Sequence, residues 1–365
     1  MHKRIALCLS LALAIIAADL VSNTMAGAMP SIEEIMNYLD YTKGDGNKLR
    51  SGEIISHGLE AGSEKELAVT VGMLVRAPLS QVFEFARSGE VFKANREIIE
   101  FHDLGDAPHD KSEFDGLGFN AEEANEVAKL LEVEPGDTFN LSTSEIDRFK
   151  ALSGRIKAKG AQNQAVREAV NAEYRAILMQ RYKQYREGGL GAVETYDRGD
   201  KQSSPGKELR NQAERGKLMR EKMPEFYRTV LNYPRHHADD VQNQFFLIKQ
   251  RVNKRPAFIL AHRLYQYNPE KYALAVFREF YVGHSYNSLH IAVGLLPVKE
   301  GTVVFYLNRT STDQVAGFGS GMKRKIGSQM LRDEVIELFS EYRQSLEKSG
   351  SKRCVQCTSD RRQIS

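Results

Sequence analysis

The period of the apolar positions switches between two and three-to-four residues along this chain, and each switch marks an element. Residues 32–39 carry apolar side chains at helical spacing behind Ser31, with Glu34 three residues on, the pattern of a capping box. Residues 53–59 and 66–75 read as strands separated by Ala61-Gly62-Ser63, and Val69, Val71, Met73 and Val75 share one parity of the second. Pro78 ends that strand and opens a helix whose apolar side holds Val82, Phe83, Phe85 and Ala86. A further strand begins at Ile98-Ile99-Glu100-Phe101-His102.

The alternation then stops until residue 241. Residues 120–133 predict a helix, acidic at its start through Glu122 and Glu123 and closed by Pro135-Gly136. The cluster Leu141-Ser142-Thr143-Ser144 caps another, through Ile146 and Phe149. A long helix follows, with Val166, Val170, Tyr174, Ile177, Leu178, Tyr182 and Tyr185 on one face and Gly188-Gly189 at its end. Tyrosines at that spacing read first as core and only second as a binding face. Residues 199–206 form a polar linker, and 207–231 is helical again with a break at Pro224.

Strand periodicity resumes at 241–250 and 256–265. It continues through 272–283, 286–298 and 302–310, with Phe280, Val282, Ile291, Val293, Phe305 and Leu307 among the apolar positions. Gly317-Phe318-Gly319-Ser320-Gly321 precedes one last helix, where Ile326, Met330, Leu331, Val335, Leu338, Phe339 and Tyr342 recur at three- and four-residue steps. No repeat period is present. The division that follows is a signal segment at 1–28, a β-rich domain at 29–104 and 241–347, a helical insertion at 105–240 between its two parts, and a polar tail at 348–365. The expected class is α+β, an antiparallel sheet closed over the long C-terminal helix.

The first segment reads as an export signal. Lys3 and Arg4 make a basic start, residues 5–18 are apolar or small apart from Ser10, and Ala26-Gly27-Ala28 fits an A-x-A cleavage site. The run is short for a span, which needs about 20 apolar residues. Cleavage near Ala28 is therefore expected, leaving no stable membrane span and a periplasmic or secreted protein. Cys8 follows Ala6-Leu7, which does not end in the small residue that lipidation requires. Export bears on Cys354 and Cys357, which could close a local disulfide in an oxidising compartment. They lack the strand-then-helix setting of a thioredoxin-type motif, and one pair cannot fill a four-ligand zinc site. A tail without chemistry is the other reading.

Composition narrows the partners. A formal net charge of +3 with 27% charged residues is too balanced for a nucleic-acid binder. Lys323, Arg324 and Lys325 are followed by Asp333, Glu334, Glu337 and Glu341, the pattern of a solvated helix face. Tryptophan is absent beside 17 Phe and 15 Tyr, so aromatic packing falls to those two types. His236-His237-Ala238-Asp239-Asp240 is the densest set of metal-ligand types, but adjacent residues do not converge on one ion, and no metal or cofactor is assigned. His284, Tyr286, Ser288 and His290 share a parity, although Gly283 marks a turn beside them, and ordinary strand histidines are the leading reading. Gly317-x-Gly319-x-Gly321 lacks the Lys-Ser/Thr ending and βαβ context of a phosphate loop and reads as a tight turn. No Gly-x-Ser-x-Gly or His-Glu-x-x-His occurs.

Two stretches carry a likeness to a known family. Leu74-Val75-Arg76-Ala77-Pro78-Leu79-Ser80-Gln81-Val82-Phe83-Glu84-Phe85 runs a strand into an Ala-Pro helix start. Asn308-Arg309-Thr310-Ser311-Thr312-Asp313 leads through the glycines into the last helix. With the insertion set aside, the order strand, helix, six strands, long helix resembles the START-like (Bet v 1-like, helix-grip, SRPBCC) superfamily, in which a curved antiparallel sheet wraps the last helix around an apolar cavity. The likeness covers 50–104 and 241–347 and includes no invariant catalytic motif; the insertion and the export signal depart from the usual compact cytosolic member. It implies a cavity for a lipid or other hydrophobic ligand, lined by Val71, Met73, Phe280, Val282, Ile291, Val293, Phe305 and Leu307 and faced by Met330 and Leu338. His284, Tyr286 and His290 would be its polar groups. An enzyme of cyclase or hydrolase type on the same fold is the second expectation and needs an acid or base there, from His284, His290 or Glu84. An envelope interaction protein that docks a protein partner through the insertion is the third.

Overall fold

The computed structural model describes residues 29–106, 111–156, 160–317 and 319–360, and only the backbone of 111, 112 and 348–360. Residues 1–28, expected as a signal segment and holding Cys8, and the side chains of Cys354 and Cys357, lie outside the described residues.

The strands are β1 (Ile55–Gly58), β2 (Glu66–Val75), β3 (Ile98–Gly105), β4 (Tyr196–Asp197), β5 (Gln202–Ser203), β6 (Gln242–Val252), β7 (Arg255–Asn268), β8 (Tyr272–Val282), β9 (Ser288–Val298) and β10 (Gly301–Ser311). Eight of them form one antiparallel sheet in the order β1-β2-β10-β9-β8-β7-β6-β3, and β4 and β5 pair separately. The long helical stretch begins after β3 and ends before β6, and these two strands are neighbours, with Phe101 opposite Ile248. The chain thus leaves the sheet and returns to it at the same edge.

The helices are α1 (Ile32–Tyr38), α2 (Lys43–Ser51), α3 (Leu79–Arg87), α4 (Glu90–Lys93), α5 (Ala124–Leu131), α6 (Thr143–Ile156), α7 (Gln164–Gly188), α8 (Pro205–Glu214), α9 (Lys217–Lys222), α10 (Pro224–Asn232) and α11 (Ser320–Asp360). The Ser31–Glu34 capping box opens α1 as its sequence predicts. Helix α2 escapes the apolar pattern because it holds two glycines and buries only one large apolar side chain, Leu49. A second box, Thr42 with Asp45, starts it. Helix α11 continues through the residues expected as a polar tail.

Strand register decides which side chains share a face. Val71, Tyr306, Val293, Ala275 and Tyr265 stand opposite one another across β2, β10, β9, β8 and β7. On that face Val71, Met73, Val75, Leu295 and Val304 pack with Val82 of α3 and with Val335, Phe339 and Leu346 of α11. The other face has two covers. Leu296, Val303 and Phe305 lie under α1 and α2, while Phe245, Leu247, Phe258, Leu260, Val276, Phe280 and Tyr281 lie under the helices that follow β3. The class is α+β, with a large antiparallel sheet, a C-terminal helix and helices on both faces.

Four side chains expected in one cavity turn away from it, each for an identifiable reason. In β8, Leu260 pairs with Tyr281 and Ala261 with Glu279, so Phe280 is the extra residue of a β-bulge. Phe280 and Tyr281 both turn toward α7, where Phe280 stacks on Tyr185 at 3.8 Å between ring centroids. In β10 the Met73–Val304 pairing sends Val304 and Tyr306 to the α11 face and Phe305 and Leu307 to the opposite one. In α11, Gly327 lies so close to Leu67 that an added Cβ would stand 3.1 Å from its methyl groups. Leu331, Val335 and Phe339 follow Gly327 inward at four-residue steps, which turns Met330 to solvent at 67% exposure.

Candidate ligand cavity

A cavity of about 230 Å³ lies between the α11 face of the sheet, α3 and the middle of α11. Aromatic rings build much of its wall. Phe83 of α3 stacks on Tyr267 of β7 at 3.9 Å, and Tyr306 of β10 meets Phe339 of α11 edge-on at 4.8 Å. Phe85 meets Tyr342 edge-on at 6.1 Å, so α3 and α11 touch through rings above the sheet. Offset and edge-on contacts of this kind are the favoured geometries of aromatic pairs.

One guanidinium marks an end of the cavity. Arg263 of β7 is directed at the C-terminus of α3, its Nη1 donating to the Ala86 carbonyl at 2.6 Å and its Nη2 to the Arg87 carbonyl at 2.9 Å. Those carbonyls lack helical partners and carry the negative end of the helix dipole, so a cation suits them. Nη2 also donates to Gln244 Oε1, and the guanidinium lies over the Phe246 ring. Burial pushes Arg263 down to about 10, which leaves it charged at neutral pH. Its Nε is buried with no partner. The site is therefore an apolar chamber with one unsatisfied cationic donor.

Of the residues expected in the cavity, Met73, Ile291, Val293 and Leu338 line it. Val71 is buried in the same cluster beside it. Val282 lies further along the sheet, with Phe246, Ile248, Ile259 and Ala261. The polar candidates do not converge. Tyr286 donates its hydroxyl hydrogen to Glu279 Oε2 at 2.5 Å. His284 sits in the β8–β9 turn, its Nδ1 2.7 Å from Ser285 Oγ and its Nε2 3.2 Å from the Pro256 carbonyl, and burial pushes it down to about 4. His290 is on the opposite face of the sheet, and burial takes it to about 3. Glu84 is exposed on α3 and paired with Arg87 at 2.7 Å.

Arg263, Tyr265, Tyr306, Phe339 and Tyr342 also line the cavity, beyond the residues expected there. The signal for Arg263 was present: a charged residue inside the apolar run Ile259-Leu260-Ala261-His262-Arg263-Leu264 demands a partner. For Tyr306 no signal existed, because both parities of β10 are apolar. Gly317 and Gly319 have φ of 79° and 72°, in keeping with a tight turn before α11. Among the described residues, no three or more His, Cys, Asp or Glu side chains are grouped so as to hold a metal ion, and no helix is long and apolar enough to cross a membrane. Comparison with protein-family models, with curated proteins and with solved structures returned no match.

Proposed function

We propose that this protein is exported and binds a hydrophobic small molecule or lipid chain in the cavity between the sheet, α3 and α11, used in the manner of a helix-grip fold. The observation that carries the reading is the cavity itself: aromatic and aliphatic walls with a single buried, incompletely paired guanidinium at one end. Small-molecule sites combine apolar walls with a few fixed polar groups in this way and span roughly 300–1,000 Å³. At about 230 Å³ the chamber suits one acyl chain or a compact ring system rather than a two-chain lipid. Removing about 200 Å² of apolar ligand surface from water contributes roughly 5 kcal/mol, against which the cost of association is set. The Arg263 Nε would orient an acceptor on the ligand.

Binding is favoured over reaction by the lining chemistry. The titratable side chains at the cavity are Arg87, Arg263, Tyr265, Tyr306 and Tyr342. Burial raises all three tyrosines, so none of the five serves as a base at neutral pH. Titration with a fluorescent fatty acid and a fluorescent sterol tests the proposal. Saturable binding of one of them is expected, lost in Ala275→Phe, which fills the chamber from β8, with the unfolding transition retained. Absence of binding across acyl chains and sterols by the folded protein would overturn it.

A further inference from the structure

A second cavity, about 100 Å³, opens on the other face of the same sheet, at the seam where α1 meets α8–α10 above β9 and β10. Two bonds hold the seam together: Tyr38 of α1 donates its hydroxyl hydrogen to the Arg215 carbonyl at 2.7 Å, and Lys222 of α9 pairs with Glu34 of α1 at 2.5 Å. The walls are apolar, with Ile35, Leu39, Met219, Met223 and Leu307 among them. Two polar side chains interrupt them. Gln212 of α8 and His290 of β9 line the cavity at 2% and 4% exposure. Neither the oxygen nor the nitrogen of the Gln212 amide has a hydrogen-bond partner, and His290 Nδ1 has none. Buried polar atoms in folded proteins are nearly always paired, so three orphans around one cavity call for a ligand or water there.

The charge beside them selects the ligand. His290 stands directly between Arg309 of β10 and Arg278 of β8 in the strand register. Arg309 is paired with Glu66. Arg278 is 1% exposed, and no carboxylate among the described residues pairs with it. Its Nη1 donates to the Val230 carbonyl at 2.7 Å, its Nη2 lies 3.4 Å from His262 Nδ1, and its Nε is unpaired. His262 gives no countercharge. Its Nε2 donates to Asn243 Oδ1 at 2.9 Å, and burial holds the ring neutral. A buried cation without a counter-anion is disfavoured in a folded chain unless an anion completes it.

We propose that the seam cavity binds a small carboxylic acid, its apolar body among the methionines and leucines and its carboxylate at Gln212 and His290, next to Arg278. The Gln212 amide and the Nδ1–H tautomer of His290 supply neutral donors, and Arg278 supplies the charge. An engineered apolar cavity of about 150 Å³ takes benzene, so the smaller volume here, about 100 Å³, restricts the ligand body to a short acyl chain. The seam and the chamber under α11 share Leu274, Val293 and Tyr306 of the sheet between them, but His290, Ala292 and Gly294 of β9 line only the seam and Ile291 and Leu295 only the chamber.

Calorimetric titration of the purified protein with hexanoate, hexan-1-ol and hexylammonium tests the site. Hexanoate is expected to bind at least tenfold more tightly than the alcohol, and the ammonium not at all. Gln212→Leu should weaken hexanoate at least tenfold, Ala292→Phe should abolish binding by filling the seam, and Ala275→Phe on the opposite face should leave it unchanged. A histidine nitrogen spectrum of the unaltered protein gives a readout that needs no variant: the His290 ring resonances should move on addition of hexanoate. Equal affinity for acid and alcohol would reduce the site to an apolar hole. No heat and no His290 shift would mean that water satisfies the orphaned atoms. Loss of hexanoate binding in Ala275→Phe but not in Ala292→Phe would assign the acid to the other chamber. Each of these three results overturns the proposal.

Discussion

Glu279 shows how one buried group sets a pH dependence. It is nearly fully buried, and burial pushes its carboxyl from an ordinary 4.5 up to about 7, while the Tyr286 hydroxyl donates to it and acts the other way. Below pH 4.5 the carboxyl is protonated in both the folded and unfolded chain and has no effect on the balance. Between 4.5 and 7 only the unfolded chain ionises, so stability falls as pH rises, and above 7 the loss is complete. At about 1.4 kcal/mol per pH unit the full effect is about 3 kcal/mol. Glu279→Gln keeps an acceptor for Tyr286 and removes the titration. In urea unfolding the variant should gain about 2–3 kcal/mol over the parent at pH 8 and nothing at pH 4. A gain that does not vary with pH would mean that Glu279 stays ionised in the fold. His262 and His290 act in the opposite sense. Their folded values are depressed, so their contribution is present above 6.5 and lost as pH falls below it. Comparing parent with variant cancels that arm and isolates Glu279.

At the scale of elements, the helices between β3 and β6 and the sheet complete each other. Glu145 of α6 and Arg181 of α7 form a buried two-bond pair at 2.6 and 2.7 Å, and the Arg181 guanidinium lies 4.6 Å over the Tyr281 ring of β8. Tyr174 of α7 is hydrogen-bonded to Tyr281 at 2.8 Å. Phe245, Leu247, Phe258, Leu260, Phe280 and Tyr281 all have 1% exposure or less beneath these helices. Uncovering six such side chains at roughly 1.5–3 kcal/mol each removes about as much as the whole net stability of an ordinary domain. Deleting 105–240 and bridging the gap should therefore leave no cooperative unfolding transition; a deletion variant that melts at the parental temperature would make the block an appendage. Most elements were legible because their period or caps are local: the Ser31 box, the long tyrosine-bearing helix and the five late strands fall where the pattern puts them. What was not legible has one physical source. With helices on both faces, both parities of β8 and β10 are apolar, so alternation no longer says which side is which. The bulge at Phe280 and the phase of α11 at Gly327 depend on tertiary packing, and these two features, with the parity of β10, misplaced four of the expected cavity residues.

Across the whole molecule, the start of the described chain is part of the fold. Pro30 is buried, and Met29 packs against both the α1–α2 cluster and the cluster beneath the helical block. Both residues line the seam cavity, with the Met29 methyl reaching toward Gly294 of β9. Cleavage after Ala28 would release the signal segment and keep these contacts. Cleavage even two residues later would remove Met29 and Pro30 from the seam, widen the cavity and uncover apolar surface on α1. Cleavage at the Ala26-Gly27-Ala28 site expected from the sequence is thus compatible with an intact seam. Mass spectrometry of the protein recovered from the envelope or medium should find Met29 at the N-terminus, or a start one or two residues earlier. A deletion that begins the mature chain at Ser31 should unfold at lower temperature and lose discrimination between hexanoate and hexan-1-ol. An intact Met1 on the mature protein would exclude export by this signal, whatever the two cavities bind.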